Sequence, residues 1–194
     1  MSEILTIKDI LKLATGYLIQ CGIDQPRLEA EVFLADLLGI SRIGLYVNFD
    51  RPLVEKELAS MRDYLRRRSR GEPLEYIVGV KEFMSLPFFV DKAVLIPRPE
   101  TEHLVERALE IMATNNFKEA VDVGTGSGAI AVSLAYYRPV ARVTAIDIAP
   151  AALAIAKKNA RHHGVEGRLI FLKGDLLKPL VGTEKSFDIV LANP

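Results

Sequence analysis

The stretch V-D-V-G-T-G-S-G at residues 121–128 constrains this chain more than any other. A short apolar run that breaks into alternating glycines is a strand handing its backbone to a ligand, because only a residue without a Cβ lets the main chain turn sharply and approach closely. A helical pattern follows directly, so the ligand is expected at a helix N-terminus. From Ala120 onward strands and helices alternate. Strands are predicted at 119–123, 142–147, 168–173 and 187–192, with helices near 127–137 and 150–163 between the first three. That order specifies an α/β domain built on a parallel sheet.

The chain before this domain reads differently. Residues 1–75 carry helical periodicity throughout. Thr6 can cap a helix with Asp9 three residues on, and Ile7, Ile10, Leu11, Ala14, Tyr17, Leu18 and Cys21 form one apolar face that Gly22 ends. Asp24 and Pro26 open a second helix, with Ala30, Phe33, Leu34, Leu37 and Leu38 facing inward until Gly39. A third begins near Pro52, sets Val54, Leu58, Met61 and Leu65 on a stripe, and finishes at Gly71. These features predict a compact helical bundle. Residues 79–97 hold short aromatic and β-branched runs broken by Pro87 and Asp91, which suits a hairpin. The R-P-E-T-E segment at 98–102 then leads into a helix bearing Leu104, Val105, Ala108, Leu109 and Met112. The expected organisation is a helical domain over 1–78, a β-hairpin linker over 79–97 and an α/β domain over 98–194.

Charge and cysteine content narrow the function classes. Twenty-five basic residues balance 25 acidic ones, so no overall field draws the protein to nucleic acid or to an anionic membrane. The run Arg66, Arg67, Arg68 and Arg70 could meet an acidic partner or ribosomal RNA, but is read first as a solvated helix end near the negative pole of the helix dipole. A single cysteine, Cys21, forbids an internal disulfide and a cysteine-based metal cluster, and its place on the first helix predicts a buried, inert thiol. His162 and His163 are read as surface residues, since no third metal donor stands at suitable spacing. The N-terminus lacks a basic region followed by an apolar core, and no window approaches the ~18 unbroken apolar residues of a membrane span. A cytoplasmic location is expected.

Spacing decides between the ligands that a glycine turn can hold. Gly124, Gly126 and Gly128 form G-x-G-x-G, whereas the dinucleotide fingerprint is G-x-G-x-x-G because a pyrophosphate must reach the helix end. The pattern favours a nucleoside without phosphates. Asp147 ends the next strand about 20 residues beyond the loop, where a carboxylate can accept hydrogen bonds from both ribose hydroxyls. Asp175, after the third strand, falls at the carboxyl edge where open parallel sheets bind ligands. Read alone, Asp147 would be a solvated turn acid; convergence of successive strand ends is what points to a site. Asp122 lies inside the first strand of the sheet, and a charge there costs several kcal/mol unless hydrogen-bonded, so it is expected to order the loop.

The fourth strand, F-D-I-V-L-A, empties into Asn193-Pro194 at the same rim. This pair resembles the opening of the N-P-P-Y motif of S-adenosylmethionine-dependent methyltransferases that act on planar amino or amide nitrogens. The order R-x-x-G-E-P-x-x-Y-I-x-G at 68–79, L-I-P-R-P-E-T-E at 95–102, D-V-G-T-G-S-G-A-I-A at 122–131 and F-D-I-V-x-A-N-P resembles the release-factor glutamine methyltransferases in particular. The resemblance covers the whole chain and implies a Rossmann-like class I fold, S-adenosyl-L-methionine as cofactor, and an N-terminal region that helps hold a protein substrate. In that family the glutamine of a Gly-Gly-Gln loop in a class 1 peptide chain release factor receives a methyl group on its side-chain nitrogen. Carried onto this sequence, Gly124, Thr125, Gly126, Ser127, Gly128 and Asp147 hold the cofactor, Leu176 touches its base, and Asn193 with Pro194 presents the substrate amide. Asn193 also borders the cofactor. No metal and no direct nucleic-acid contact are implied. Arg98, Glu100 and Glu102 could form local ion pairs and a helix start, or take part in the site.

Two departures stand out. The family motif continues with a proline and an aromatic residue beyond Pro194, so the reading is of a chain truncated within the motif, with weak or no activity and an unpaired edge on its fourth strand. Leu176 stands where many relatives carry an aromatic ring, which keeps an apolar contact and loses stacking. Two rivals accompany the leading reading. One is an N-methyltransferase acting on an exocyclic amine of DNA or RNA, which would be expected to carry a basic groove or an added recognition segment. The other is a non-catalytic binding module, with the helical region docking a partner.

Overall fold

The computed structural model describes residues 5–193 and divides the chain into two compact units, Met1–Val78 and Gly79–Pro194. In the first unit, α1 (Ile7–Gln20), α2 (Pro26–Leu38) and α4 (Glu55–Ser69) are joined by the short helices α3 (Arg42–Val47) and α5 (Leu74–Val78). Thr6 and Asp9 form the capping box at the start of α1, each side chain bonding the other's backbone N–H. Ile7, Leu11, Leu18, Phe33, Leu34, Leu45 and Met61 make the core of this unit.

Four expectations for the helical region are corrected. Cys21 is exposed, because α1 stops at Gln20 and the chain turns away at Gly22 in the left-handed region. Tyr17 and Val54 are exposed too: Tyr17 sits at the margin of the buried stripe of α1, and Val54 is the N-cap of α4, outside the helix proper. Asp24 does not cap α2; Gln25 holds that position without a side-chain bond, and Pro26 begins the helix. Between the second and third expected helices, Ser41 caps the unforeseen α3 by accepting the Gly44 N–H at 3.1 Å.

Two charged groups in this unit are structural. Glu31 is buried and accepts from Arg27 and Arg42 at 2.7 Å each and from the Tyr46 hydroxyl. Burial pushes its carboxyl up, but the three donors together hold it below the usual range. From the arginine run, Arg67 pairs with Glu72 at 2.9 Å and Arg68 with Glu29 at 2.6 Å. The helix end is therefore tied down by ion pairs rather than simply solvated.

The second unit opens with the antiparallel hairpin β1 (Val80–Phe83) and β2 (Leu86–Phe89). Its two-residue turn places Met84 and Ser85 at positive φ, the twist a tight hairpin demands. After α6 (Glu100–Thr114) come β3 (Glu119–Val123), α7 (Ala129–Tyr137), β4 (Arg142–Asp147), α8 (Pro150–His162), β5 (Leu169–Lys173) and β6 (Ile189–Ala192). All four later strands are parallel, in the order β5-β4-β3-β6. The chain thus steps outward from β3 through β4 to β5, then returns to the other side of β3. Such a reversal opens a crevice at the carboxyl ends of the strands, where ligands of open α/β sheets bind. Burial of both faces explains why β3 is almost wholly inaccessible and why β4 carries Val143, Ala145 and Ile146 in the core.

Candidate active site

Everything at the crevice begins from the end of β3. Gly124 and Thr125 donate their N–H groups to the Ile146 carbonyl at 2.8 and 2.9 Å, which lashes the loop to the end of β4. Gly126 donates to Asp147 Oδ2 and Ala149 to Asp147 Oδ1, both at 2.9 Å. The Asp147 carboxylate therefore fixes the loop, and since each of its oxygens has lone pairs to spare, it can still accept from a ribose. Gly128 has φ +81, and a Cβ there would lie 3.0 Å from the Ala156 Cβ of α8. That glycine is required both by its left-handed backbone and by the closeness of α7 and α8.

Beneath the loop, Asp122 is fully buried. Its Oδ2 accepts from the Thr125 hydroxyl at 2.6 Å and from the Ala131 N–H at 3.2 Å, so it ties the loop to the first turn of α7. Oδ1 has no partner among the described residues. Burial pushes the carboxyl up to about 6, the Thr125 and Ala131 bonds oppose this, and the Asp147 charge adds to it. Asp122 orders the loop, as its position inside the strand implied.

A cavity of about 420 Å³ lies over this loop, within the size range of roughly 300–1,000 Å³ typical of small-molecule sites. Its floor is Gly124, Thr125, Gly126 and Ser127, with Asp147 at one side and Asn193 at another. Leu95, Ile96, Ala149 and Ala152 provide apolar walls. Residues 93–97, read from the sequence as the end of a linker, thus line the cavity, together with Arg98 at the start of the next segment. Gly128 stands just below, at the N-cap of α7. Leu176 and Asp175 lie beyond the end of β5 but do not line the cavity. Leu176 is 63% exposed with φ 50, and Asp175 pairs with Lys178 at 2.5 Å. Pro194 lies outside the described residues.

Asn193, just past β6, is exposed at the mouth. Its side-chain Nδ2 donates to the Thr101 hydroxyl at 2.7 Å. Thr101, in the first turn of α6, is buried and lines the same cavity. The next residue, Glu102, accepts the Met84 N–H at 2.7 Å and so holds the tip of the hairpin. Glu100 begins α6 and is exposed.

The sequence reading missed Thr101 and Asn159. Asn159 is buried on α8; its Nδ2 donates to the Ser127 and Phe89 carbonyls at 2.8 and 3.0 Å, and its Oδ1 accepts the Phe89 N–H at 2.7 Å. One carboxamide thus joins the glycine loop to β2. A signal existed: Ala152, Ala156 and Ala160 mark the buried face of α8, and helical spacing puts position 159 on it. Nearby, His163 donates from Nε2 to the Pro87 carbonyl over 2.8 Å and packs on Phe88, with burial pushing its imidazole pKa down. The helical unit has a separate apolar groove of about 390 Å³ between α1 and α4, lined by Leu13, Tyr17, Leu58 and Leu65 among others. Among the described residues, no helix is long and apolar enough to cross a membrane.

A parallel sheet that gathers a glycine loop, a strand-end aspartate and an asparagine around one cavity defines a class I methyltransferase domain, whose cofactor is S-adenosyl-L-methionine. The family model described as methyltransferase small domain matches residues 103–194, and that described as PrmC N-terminal domain matches residues 9–79. The release factor glutamine methyltransferase of Geobacter sulfurreducens is 44% identical over 99% of this chain and 66% of its own length. Those of Chlorobaculum tepidum and Vibrio cholerae are 41% and 42% identical, over 99% and 97% of this chain and 68% and 65% of theirs. The chain belongs to the release factor glutamine methyltransferase family, and it spans about two thirds of the length of these relatives.

Proposed function

We propose that this protein methylates the side-chain amide nitrogen, N5, of the glutamine in the Gly-Gly-Gln motif of class 1 peptide chain release factors. The observation that carries the reading is Asn193, a carboxamide at the mouth of the cavity floored by the glycine loop and Asp147. The cavity fits the cofactor's chemistry. Loop glycines admit a close ligand, Asp147 keeps acceptor capacity for ribose hydroxyls, and Leu95, Ile96, Ala149 and Ala152 offer apolar contact. When bound, the cofactor supplies a methyl group on a sulfonium.

An amide nitrogen is a poor nucleophile because its lone pair is delocalised into the carbonyl. Positioning therefore does much of the work. Asn193 Oδ1 accepts one N–H of the substrate amide, and the Pro194 carbonyl is assigned the other. Two acceptors fix the nitrogen and stabilise the positive charge that grows on it. Asn193→Ala is expected to lower kcat by roughly 10²–10³-fold with little change in cofactor affinity.

The test offers radiolabelled cofactor with release factor, with a Gly-Gly-Ala variant of it, with DNA and with ribosomal RNA. Label should enter the unaltered release factor alone. Label entering only nucleic acid would instead establish the exocyclic-amine reading.

A further inference from the structure

We propose that Thr101 is a positioning residue that anchors the Asn193 carboxamide with its oxygen left for the substrate. The inference rests on the glutamine-methylating reading, because only a substrate bearing N–H donors makes the choice of end matter. A primary carboxamide is nearly symmetric in shape and opposite in function: the oxygen accepts, the NH₂ donates. Turned by half a rotation about its last bond, Asn193 would present NH₂ to the NH₂ of a glutamine. Two donors would then meet, and the substrate nitrogen would lose the acceptor that holds it.

Thr101 anchors the carboxamide in the productive arrangement: its hydroxyl could also donate, and it is the acceptor role taken here that leaves Oδ1 for the substrate. Its hydroxyl lies 2.7 Å from Asn193 Nδ2 and accepts from it, while Asn193 Oδ1 has no partner among the described residues. Both side chains line the same cavity. Asn193 itself is exposed at the rim, so little packing restrains it, whereas Thr101 is buried at the start of α6 with its N–H bonded to the Arg98 carbonyl at 3.0 Å. The restraint therefore runs from the anchored residue to the exposed one. The link spans 92 positions in sequence and joins the R-P-E-T-E segment to the end of β6, giving that segment a task in the reaction centre. Glu102 serves a different end, the hairpin tip.

The test compares Thr101→Val, which keeps shape and deletes the hydroxyl, with Thr101→Ser, which keeps the hydroxyl. Thr101→Val should lower kcat roughly ten- to a hundredfold, the scale of a misplaced reacting group. Affinity for the demethylated cofactor, read by calorimetry, should not change, and Thr101→Ser should restore most of the rate. In an Asn193→Ala background the valine should cost nothing further, since the group it positions is gone. Independently of turnover, the Asn193 side-chain NH₂ resonances should show one slowly exchanging proton that Thr101→Val abolishes and Thr101→Ser retains. An unchanged kcat in Thr101→Val, a full additive loss in the double variant, or an unaltered amide spectrum would overturn the assignment. If the unsubstituted protein moves no methyl to release factor, the proposed function fails, and the amide spectrum alone then decides the role of Thr101.

Discussion

Two aspartates within the same loop system have opposite tasks. Asp147 faces the cavity and spends each oxygen on a loop N–H while keeping capacity for a ligand. Asp147→Ala removes both restraints and the acceptor proposed for the ribose, so cofactor affinity should fall by more than tenfold, about 1.4 kcal/mol or more, in a calorimetric titration. Asp122 points into the protein, and its pKa is raised from 3.8 to about 6. Between these values the folded state holds more protons than the unfolded one, so this group makes stability fall as pH rises through the window and then level off above it. Asp122→Asn keeps an acceptor for Thr125 and Ala131 without the charge. Urea unfolding at intervals from pH 4 to pH 7 should therefore show the variant gaining on the parent up to about pH 6 and no further. A constant difference would refute the assignment. At this scale the sequence was informative where placement is local: Gly124, Gly126, Asp147 and Asn193, expected at one rim, line one cavity, and Asp122 bonds the loop above it. The bond between Thr101 and Asn193 was opaque because it joins residues 92 positions apart. Cys21 misled because apolar periodicity continues one step past the helix that creates it.

Among the elements, the contact of α7 with α8 leaves no room for a side chain at Gly128. A Cβ on Gly128 would meet both the Cα and the Cβ of Ala156, at 3.1 and 3.0 Å, and neither atom belongs to a flexible side-chain end. Gly128→Ala should therefore destabilise the second unit by about 1–3 kcal/mol from backbone strain and crowding, measurable as a lowered urea midpoint. It should also weaken cofactor binding in a calorimetric titration, because the helix end that lines the cavity must shift. The parallel strands and their helices were readable as short apolar runs interleaved with helical periodicity. The short helices α3 and α5 were not, since five or six residues give too little periodicity to separate a helix from a loop.

As a whole, the molecule has separate cores: Phe33 and its neighbours in the helical unit, and the packing around β3 and β4 in the other. Phe33→Ala is expected to cost about 3–5 kcal/mol within the helical unit. Native-state hydrogen exchange should show faster exchange along α1 and α2 while amides of β3 and β4 keep their protection; equal loss in both units would show a single cooperative fold. The boundary between the two units coincides with the change of pattern in the sequence after residue 78. The path from hairpin to glycine loop was hidden, because it depends on one carboxamide inside α8. Asn159 meets Phe89 across 70 positions and Ser127 across 32, and Glu102 grips the other end of the same hairpin. Stretches far apart in the gene are therefore bound to a common fate. A residue at 159 that could not serve main-chain oxygens would be tolerated only if the ribbon at 86–89 were redrawn with it, so the two should drift together or not at all.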